Sequence, residues 1–561
     1  MGTSAADDAT RTELPGHSHV PLHGEKQKSK TERDAELQVT LLLRRRQALP
    51  DPHAQFGSQL PHEKRHLTAS ELANEFDTTQ DDIACVERFA SAHELTVLKA
   101  AQHQRKVVLR GKAEAMEKAF GVSLVEMEHC RGSYRATIGT ASVPRELNDV
   151  VQAVMGLNTR PCARRRTVHH NNTTAPYWTA PQMAEAYGFS ATRSAAGQSI
   201  ALIELGGGYH EGDLRQFFDG LGMPMPVVRC VSVDGAQNAP ASVEQIKQFL
   251  DVVEGRRKIS EVPEDVLSAA QCTVEVTMDI ELVAAFAPGA EIVAYMTPST
   301  EQGIYDAISQ AIADPERLPS AISISWGEPE TGVSGAYLRS VDEVLQEAAL
   351  LGVTVCASSG DDGAMNGSTD GTPTVNFPAS SPHALSCGGS TVRAATGENL
   401  REAAWNCMLH GIHGATGGGV SRTFETPPWQ QDHNVPLAPT GNRGRGVPDV
   451  AGPADPHRGC AILVGGESCS SAGTSAVAPL WAAMVACMNT ALGARCGYIT
   501  PLLYQLAKNG DGPLRAITEG DNGFYKAGQG WNACTGLGSP EVDKLVAALG
   551  EGRGGKPPGA S

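Results

Sequence analysis

No apolar run in this chain of 561 residues reaches the roughly 20 residues that a membrane-spanning helix needs, so a membrane role finds no support. The first thirty residues are polar and carry Pro, Gly and His without the apolar stretch of a signal peptide, so no standard secretion signal is read there. Positive charge is scarce: 46 basic residues face 63 acidic ones, and a net charge of -17 disfavours binding to nucleic acid phosphates. The 13 cysteines include no CxxC pair, which argues against a zinc ribbon and for ordinary buried thiols. Cys356 and Cys387 fall in apolar strand-like runs, and Cys460 and Cys469 are spaced to pair across a hairpin.

What is present is length enough for two domains. Residues 1–30 are charged and unpatterned and are expected to be disordered. Strand-like runs at 37–43, 95–99 and 106–110 alternate with helical patterns at 68–75, 81–93 and 112–120, which makes 31–160 a compact α+β unit of ferredoxin-like character. A basic tract from Arg160 to Arg166 and the polar stretch after it form a linker over 161–175, either an exposed cleavage site or a tether that stays intact. Over 176–550 the pattern becomes long β-α alternation, with strands at 199–205, 291–295, 321–325 and 353–358 and a flexible tail at 551–561. Buried strands separated by helices predict a parallel sheet covered on both faces, with active-site residues at the carboxyl ends of its strands.

One stretch, Gly473-Thr474-Ser475, puts a hydroxyl at the mouth of an apolar helix over 476–488. Unpaired N-H groups and the positive end of the helix dipole favour negative charge there, which suits a nucleophile; the same residues would serve equally as a helix cap. A serine nucleophile needs a base, usually histidine, and none is well placed. In the subtilisin order an Asp ends the first strand and a His-Gly pair opens the next helix, whereas here Glu204 ends that strand and His410-Gly411 comes late in a loop. Glu275 and Asp279 instead lie four apart on one face of a helix that runs on into an apolar segment, so they must face solvent, a partner or a site. Two carboxylates in proximity share protons, which raises one apparent pKa.

Taken in order, Glu275-x-x-x-Asp279, Ser358-Ser359-Gly360-Asp361 and Gly473-Thr474-Ser475-Ala476-Val477-Ala478-Pro479 resemble the sedolisins, the serine-carboxyl peptidases, and among them the kumamolisin-like group. Similar too are Ile203-Glu204-Leu205-Gly206-Gly207-Gly208, Ser323-Ile324-Ser325-Trp326-Gly327, Gly417-Gly418-Gly419-Val420-Ser421 and the stretch from Cys534 to Pro540. The resemblance implies a subtilisin-like α/β domain, a parallel sheet with helices on both faces, preceded by a smaller α+β propeptide domain removed on activation. It implies an acid-acting endopeptidase made as a self-inhibited precursor. Ser475 would be the nucleophile, Glu275 the general base, Asp279 the residue that orients and charges Glu275, and Asp361 a protonated acid donating to the oxyanion. Glu204 and Trp326 resemble outer members of the proton network, and Ser325, Trp326 and Gly327 the substrate-binding stretch.

The family's calcium site uses two aspartates, and Ala516 and Asn532 stand at those positions, so no cofactor or metal is expected. The carbonyls of Ile517, Gly528 and Gly530 and the Asn532 amide remain, with Glu519 and Asp521 near in sequence. An extracellular monomer is implied, whose partners are protein or peptide substrates and its own propeptide. Two rivals are a catalytically silent binding protein, which would need one of Ser475, Glu275, Asp279 or Asp361 lost, and a histidine-dependent subtilisin, separable by its activity at alkaline pH.

Overall fold

The computed structural model describes residues 11–551 apart from 19, 23, 130–131, 162–176, 190–193, 315, 369–370, 397–398, 410–411 and 509–511. The first unit is built on an antiparallel sheet in the order Thr96–Ala101, Lys106–Lys112, Glu36–Leu43, Val151–Met155, with helices Gln80–Ala92 and Ala113–Phe120 in its connections. Strand, helix, two strands, helix and strand in that order make the ferredoxin-like arrangement expected from the sequence. Strand periodicity explains how the sheet is used. Leu37, Val39, Leu41 and Leu43 point into this unit's own core, while Leu42 joins the core of the second unit. Helix Gln80–Ala92 is capped by Thr79, whose hydroxyl accepts from Asp82 N at 3.1 Å, and it buries Ile83, Val86, Phe89 and Ala90 along one stripe.

Residues 11–30 correct the expectation of disorder. Arg11–Glu13 pairs with Ser142–Pro144, and Lys26–Lys30 pairs with Ser123–His129. All five positions of Lys26–Lys30 are exposed, so backbone pairing at a sheet edge orders it and composition gives no hint. Leu14 and Leu22, 2% and 5% exposed, anchor the stretch, and the Arg11 guanidinium donates to Ser142 O at 2.7 Å. Most of the linker, from 162 to 175, the flexible tail from 552 onward and the pair His410-Gly411 lie outside the described residues.

The second unit carries an eight-stranded sheet in the order Val227–Ser232, Glu291–Thr297, Ser199–Leu205, Ala321–Ile324, Thr354–Ser358, Leu385–Thr396, Asn399–Ala404, with Val450–Pro453 also paired to Leu385–Thr396. Every pairing is parallel except that of Asn399–Ala404. Three of these strands went unread in the sequence, and Leu385–Thr396 was read only as a strand-like run around Cys387. Val227–Ser232 is an edge strand with no buried position, and the run around Cys387 is cut short by Gly388 and Gly389.

One face of the sheet is covered by Glu264–Phe286 and Val477–Leu492, the other by Glu301–Ile312 and Gly335–Leu350. By length and apolarity Thr474–Leu492 could cross a membrane, but 89% of it is buried, so its apolar surface is spent on the core. Cys460 and Cys469 are both free and buried. In the hairpin Ala461–Val464 with Glu467–Ser470 the partner of Cys469 is Ile462, so the two thiols are out of register and the pairing left open by the sequence is not made.

The first unit's sheet sits on the Glu301–Ile312 and Gly335–Leu350 helices. Lys106 Nζ pairs with Asp306 at 2.7 Å, Thr40 Oγ1 donates to the same carboxylate at 3.2 Å, and Arg105 pairs with Glu343 at 3.0 Å. Lower down, Lys64 Nζ donates to the carbonyls of Cys496 and Tyr498 at 2.8 and 3.0 Å.

Candidate active site

Parallel strands deliver polar residues to one edge of the sheet. Glu204 is the penultimate residue of Ser199–Leu205, Ser325-Trp326-Gly327 follows Ala321–Ile324, and Ser359-Gly360-Asp361 follows Thr354–Ser358. Across from them Glu264–Phe286 runs through the core, buried at every position from Cys272 to Phe286, and carries Glu275 and Asp279 one turn apart. Carboxyls placed here are almost wholly withdrawn from bulk solvent: Glu275 and Asp279 on the helix are 3% and 1% exposed, and Glu204 at the strand end 0%. Of the destinations left open by the sequence, solvent is excluded.

Ser475 sits in the 3-10 turn Thr474–Ala476 that opens Val477–Leu492. A narrow cleft of about 30 Å³ is lined by Ser475, Glu275, Asp361, Ser325, Trp326 and Gly327, together with Thr474, Asn366 and Asn376, and no histidine is among its lining residues. That space holds a water molecule or two and no peptide. Ser475 Oγ donates to Ser325 O at 3.2 Å, and Ser325 Oγ donates to Asp279 Oδ2 at 2.7 Å. Trp326 Nε1 donates to Glu204 Oε2 at 3.4 Å.

Burial and then the charge of Glu275 push the Glu204 carboxyl well above the usual range, against the donation from Trp326. Burial, Glu204 and Glu275 do the same to Asp279, opposed by the Ser325 hydroxyl. Burial and mutual repulsion thus couple Glu204 and Asp279 to the charge of Glu275.

Two features were not read in the sequence. Thr474, taken there as part of a turn, ties the nucleophile loop to Asp361: its N-H and its hydroxyl both donate to Asp361 Oδ1, at 2.7 and 2.8 Å, and its Oγ1 accepts from Gly360 N at 3.0 Å. Asn366 and Asn376 reach the cleft from a loop with no motif to mark them. Gly473 has φ +79°, and a Cβ on it would lie 2.5 Å from Asp361 Oδ2. Close approach of the two loops therefore requires the glycine.

Near the carboxyl end Asn532 occupies the centre of a loop. Its Nδ2 donates to the carbonyls of Gly528 and Ile517 at 3.2 and 3.4 Å, and its Oδ1 accepts from Cys534 N and Thr535 N at 3.1 and 3.0 Å. Ala516, Glu519 and Asp521 are exposed, and Asp521 Oδ1 is engaged by Gly523 N and Asn406 Nδ2, both at 2.9 Å. These residues do not fit a calcium ion, because an amide N-H₂ group points at the carbonyls that would bind it.

Fold and cleft together define a subtilisin-like serine peptidase with an N-terminal activation domain. Residues 23–160 match the family described as pro-kumamolisin, activation domain, and residues 269–501 match the subtilase family. Kumamolisin from Bacillus sp. (strain MN-32) is 40% identical over 564 residues, covering 97% of each chain. Sedolisin from Pseudomonas sp. (strain 101) is 25% identical over 539 residues, covering 90% of this chain and 84% of its own. The solved Pseudomonas sedolisin complexed with two molecules of pseudo-iodotyrostatin aligns with TM-score 0.55 at 24% identity, over 67% of this chain and 98% of that one, a likeness of fold. The chain belongs to the sedolisin family of serine-carboxyl peptidases, in its kumamolisin-like group, and is made as a propeptide-bearing precursor.

Proposed function

We propose that peptide bonds are cleaved through an acyl-enzyme on Ser475, with Glu275 as general base, Asp279 holding Glu275 in orientation and charge, and protonated Asp361 donating to the oxyanion. The observation that carries this reading is the convergence of Ser475, Glu275 and Asp361 on one cleft whose lining has no histidine. Ser475 Oγ leaves the Ser325 carbonyl, passes its proton to Glu275 and attacks the substrate carbonyl carbon. With both Thr474 donors on Oδ1, the acidic proton of Asp361 belongs on Oδ2, facing the developing oxyanion. Glu275 then returns its proton to the leaving amine, and water releases the acyl group by the same path in reverse. Glu204 and Trp326 supply the second carboxyl and its N-H donor behind Glu275, and Ser325, Trp326 and Gly327 form the wall along which the peptide lies.

A carboxyl donates to an oxyanion only while protonated, so activity belongs to acidic pH and disappears as Asp361 ionises. Ser475→Ala and Glu275→Ala are expected each to abolish turnover of an unfolded protein substrate at pH ~4 while the circular dichroism spectrum is kept. Near-normal turnover by Glu275→Ala would remove the proposed base. Activity that peaks at alkaline pH would favour a histidine-dependent enzyme.

The loop from Ile517 to Asn532 is further proposed to hold no calcium, the Asn532 amide taking the place of the ion. Calcium binding draws on anionic carboxylates, and a neutral amide whose hydrogens face the carbonyls supplies none. The enzyme is read as an extracellular monomer acting on protein or peptide substrates, with its own N-terminal unit as inhibitor; light scattering of the purified precursor tests the monomer.

A further inference from the structure

Cys407, Asp455 and His457 bring one thiol, one carboxylate and one imidazole together, with their ligating atoms all within 4.8 Å of one another. The three come from two places: Cys407 from the hairpin strand Asn406–Leu409, Asp455 and His457 from the turn after Val450–Pro453. Each outer donor is already oriented. The indole N-H of Trp405, itself fully buried, donates to Cys407 Sγ at 3.2 Å. Thr391 Oγ1 donates to Asp455 Oδ2 at 2.8 Å, which turns Oδ1 toward His457 Nδ1, 2.9 Å away.

We propose that this cluster is a structural site for a borderline divalent cation of the zinc class, held by Cys407 Sγ, Asp455 Oδ1 and His457 Nδ1 with a solvent molecule as fourth ligand. The donor set decides the class: a thiolate and an imidazole suit zinc or cobalt and reject calcium and magnesium, which take oxygen. The N-H donated to sulfur and the hydroxyl donated to the carboxylate are the outer contacts that such sites use to orient their ligands. On binding, the thiol proton of Cys407 passes to solvent, and the hydrogen bond between His457 and Asp455 gives way to two metal bonds.

Position makes the site consequential. Ala454, next to Asp455, accepts from Gly473 N at 2.9 Å, and Ala415, paired with Asn406 beside Cys407 at the open end of the hairpin, donates from its N to Asp361 O at 2.9 Å. A bound ion would clip together the two segments that hold the nucleophile loop and the Asp361 loop.

The test uses the full-length Ser475→Ala precursor at neutral pH, loaded with Zn²⁺ or with Co²⁺ and passed through a desalting column. About one equivalent of metal should remain, the Co²⁺ form should show a thiolate-to-cobalt charge-transfer band, and removal of the ion should lower the thermal midpoint. Cys407→Ser and His457→Gln, made in that background, should each lose the band and weaken retention about tenfold or more, while Cys230→Ser, at an exposed thiol, should keep both. An unmutated cluster that gives no charge-transfer band overturns the proposal without any variant, and so does a band that survives in Cys407→Ser. An ordinary Asp–His hydrogen bond beside a thiol predicts the first of those results.

Discussion

At the scale of the residue, the site is a problem of close approach. Gly473 lets the nucleophile loop lie against Asp361, and a methyl group there would meet Oδ2 at 2.5 Å and Cγ at 3.1 Å while φ stays at +79°. Gly473→Ala should therefore move Asp361 away from the oxyanion. Turnover is expected to fall about a hundredfold and stability by about 1–3 kcal/mol, read from kcat and from urea unfolding of the same preparation. Unchanged kcat would mean that Asp361 does not have to sit where it does. Glycine at 473, Ser475 and the Glu275/Asp279 pair were all legible as residues, because motif and helical spacing are local properties. That Thr474 holds Asp361 was not, because the two are joined only by tertiary contact.

At the scale of the element, the loop around Asn532 makes the sharpest contrast between composition and geometry. Absence of the two aspartates was legible in the sequence; the hydrogen bonds made by Asn532 were not. The amide donates to carbonyls on one side and accepts N-H groups on the other, so the loop is satisfied without a cation. The thermal midpoint is expected to be equal in excess chelator and in calcium. Asn532→Asp removes the donor and aims a carboxylate at the Gly528 and Ile517 carbonyls, costing about 1–3 kcal/mol. Calcium at millimolar concentration should restore much of that loss in the variant alone. An unmutated enzyme whose midpoint drops on chelation and recovers only with calcium would reverse the assignment of Asn532.

At the scale of the whole molecule, we propose that acid helps release the N-terminal unit through a histidine at the interface. His66 is packed against Gly352 and Gly497 of the second unit, where a Cβ on either glycine would lie within 2.6 Å of the ring. Its Nε2 is buried without a hydrogen-bond partner, and burial, then Lys64 and Arg495, lower its pKa from 6.5 to about 4. The released unit binds the proton more readily between those two values, so docking is intact above pH 6.5 and weakens as pH falls toward 4, by up to roughly 3 kcal/mol. His66→Gln should accordingly shift self-processing to lower pH by roughly half a unit. Gel electrophoresis across a pH series reads the shift, with the Ser475→Ala precursor remaining intact. An unchanged or higher processing pH in His66→Gln would break the argument.

What the sequence determined by itself was whatever depends on near neighbours along the chain: the ferredoxin-like order of the first unit, the buried helices, the nucleophile turn and the carboxyl pair, all set by periodicity and motif. It did not yield the edge strands Lys26–Lys30 and Val227–Ser232, which have no buried face and are ordered by backbone pairing with distant strands. Nor did it place Glu204, Glu275 and Asp279 in one dry pocket, because desolvation and charge repulsion arise only when a strand end and a helix meet in the core. Tertiary structure alone decided that the helix carrying the carboxyls faces the site and not solvent. It alone decided that Cys460 and Cys469 stay free, since a disulfide depends on the register of two strands and not on the number of residues between the thiols.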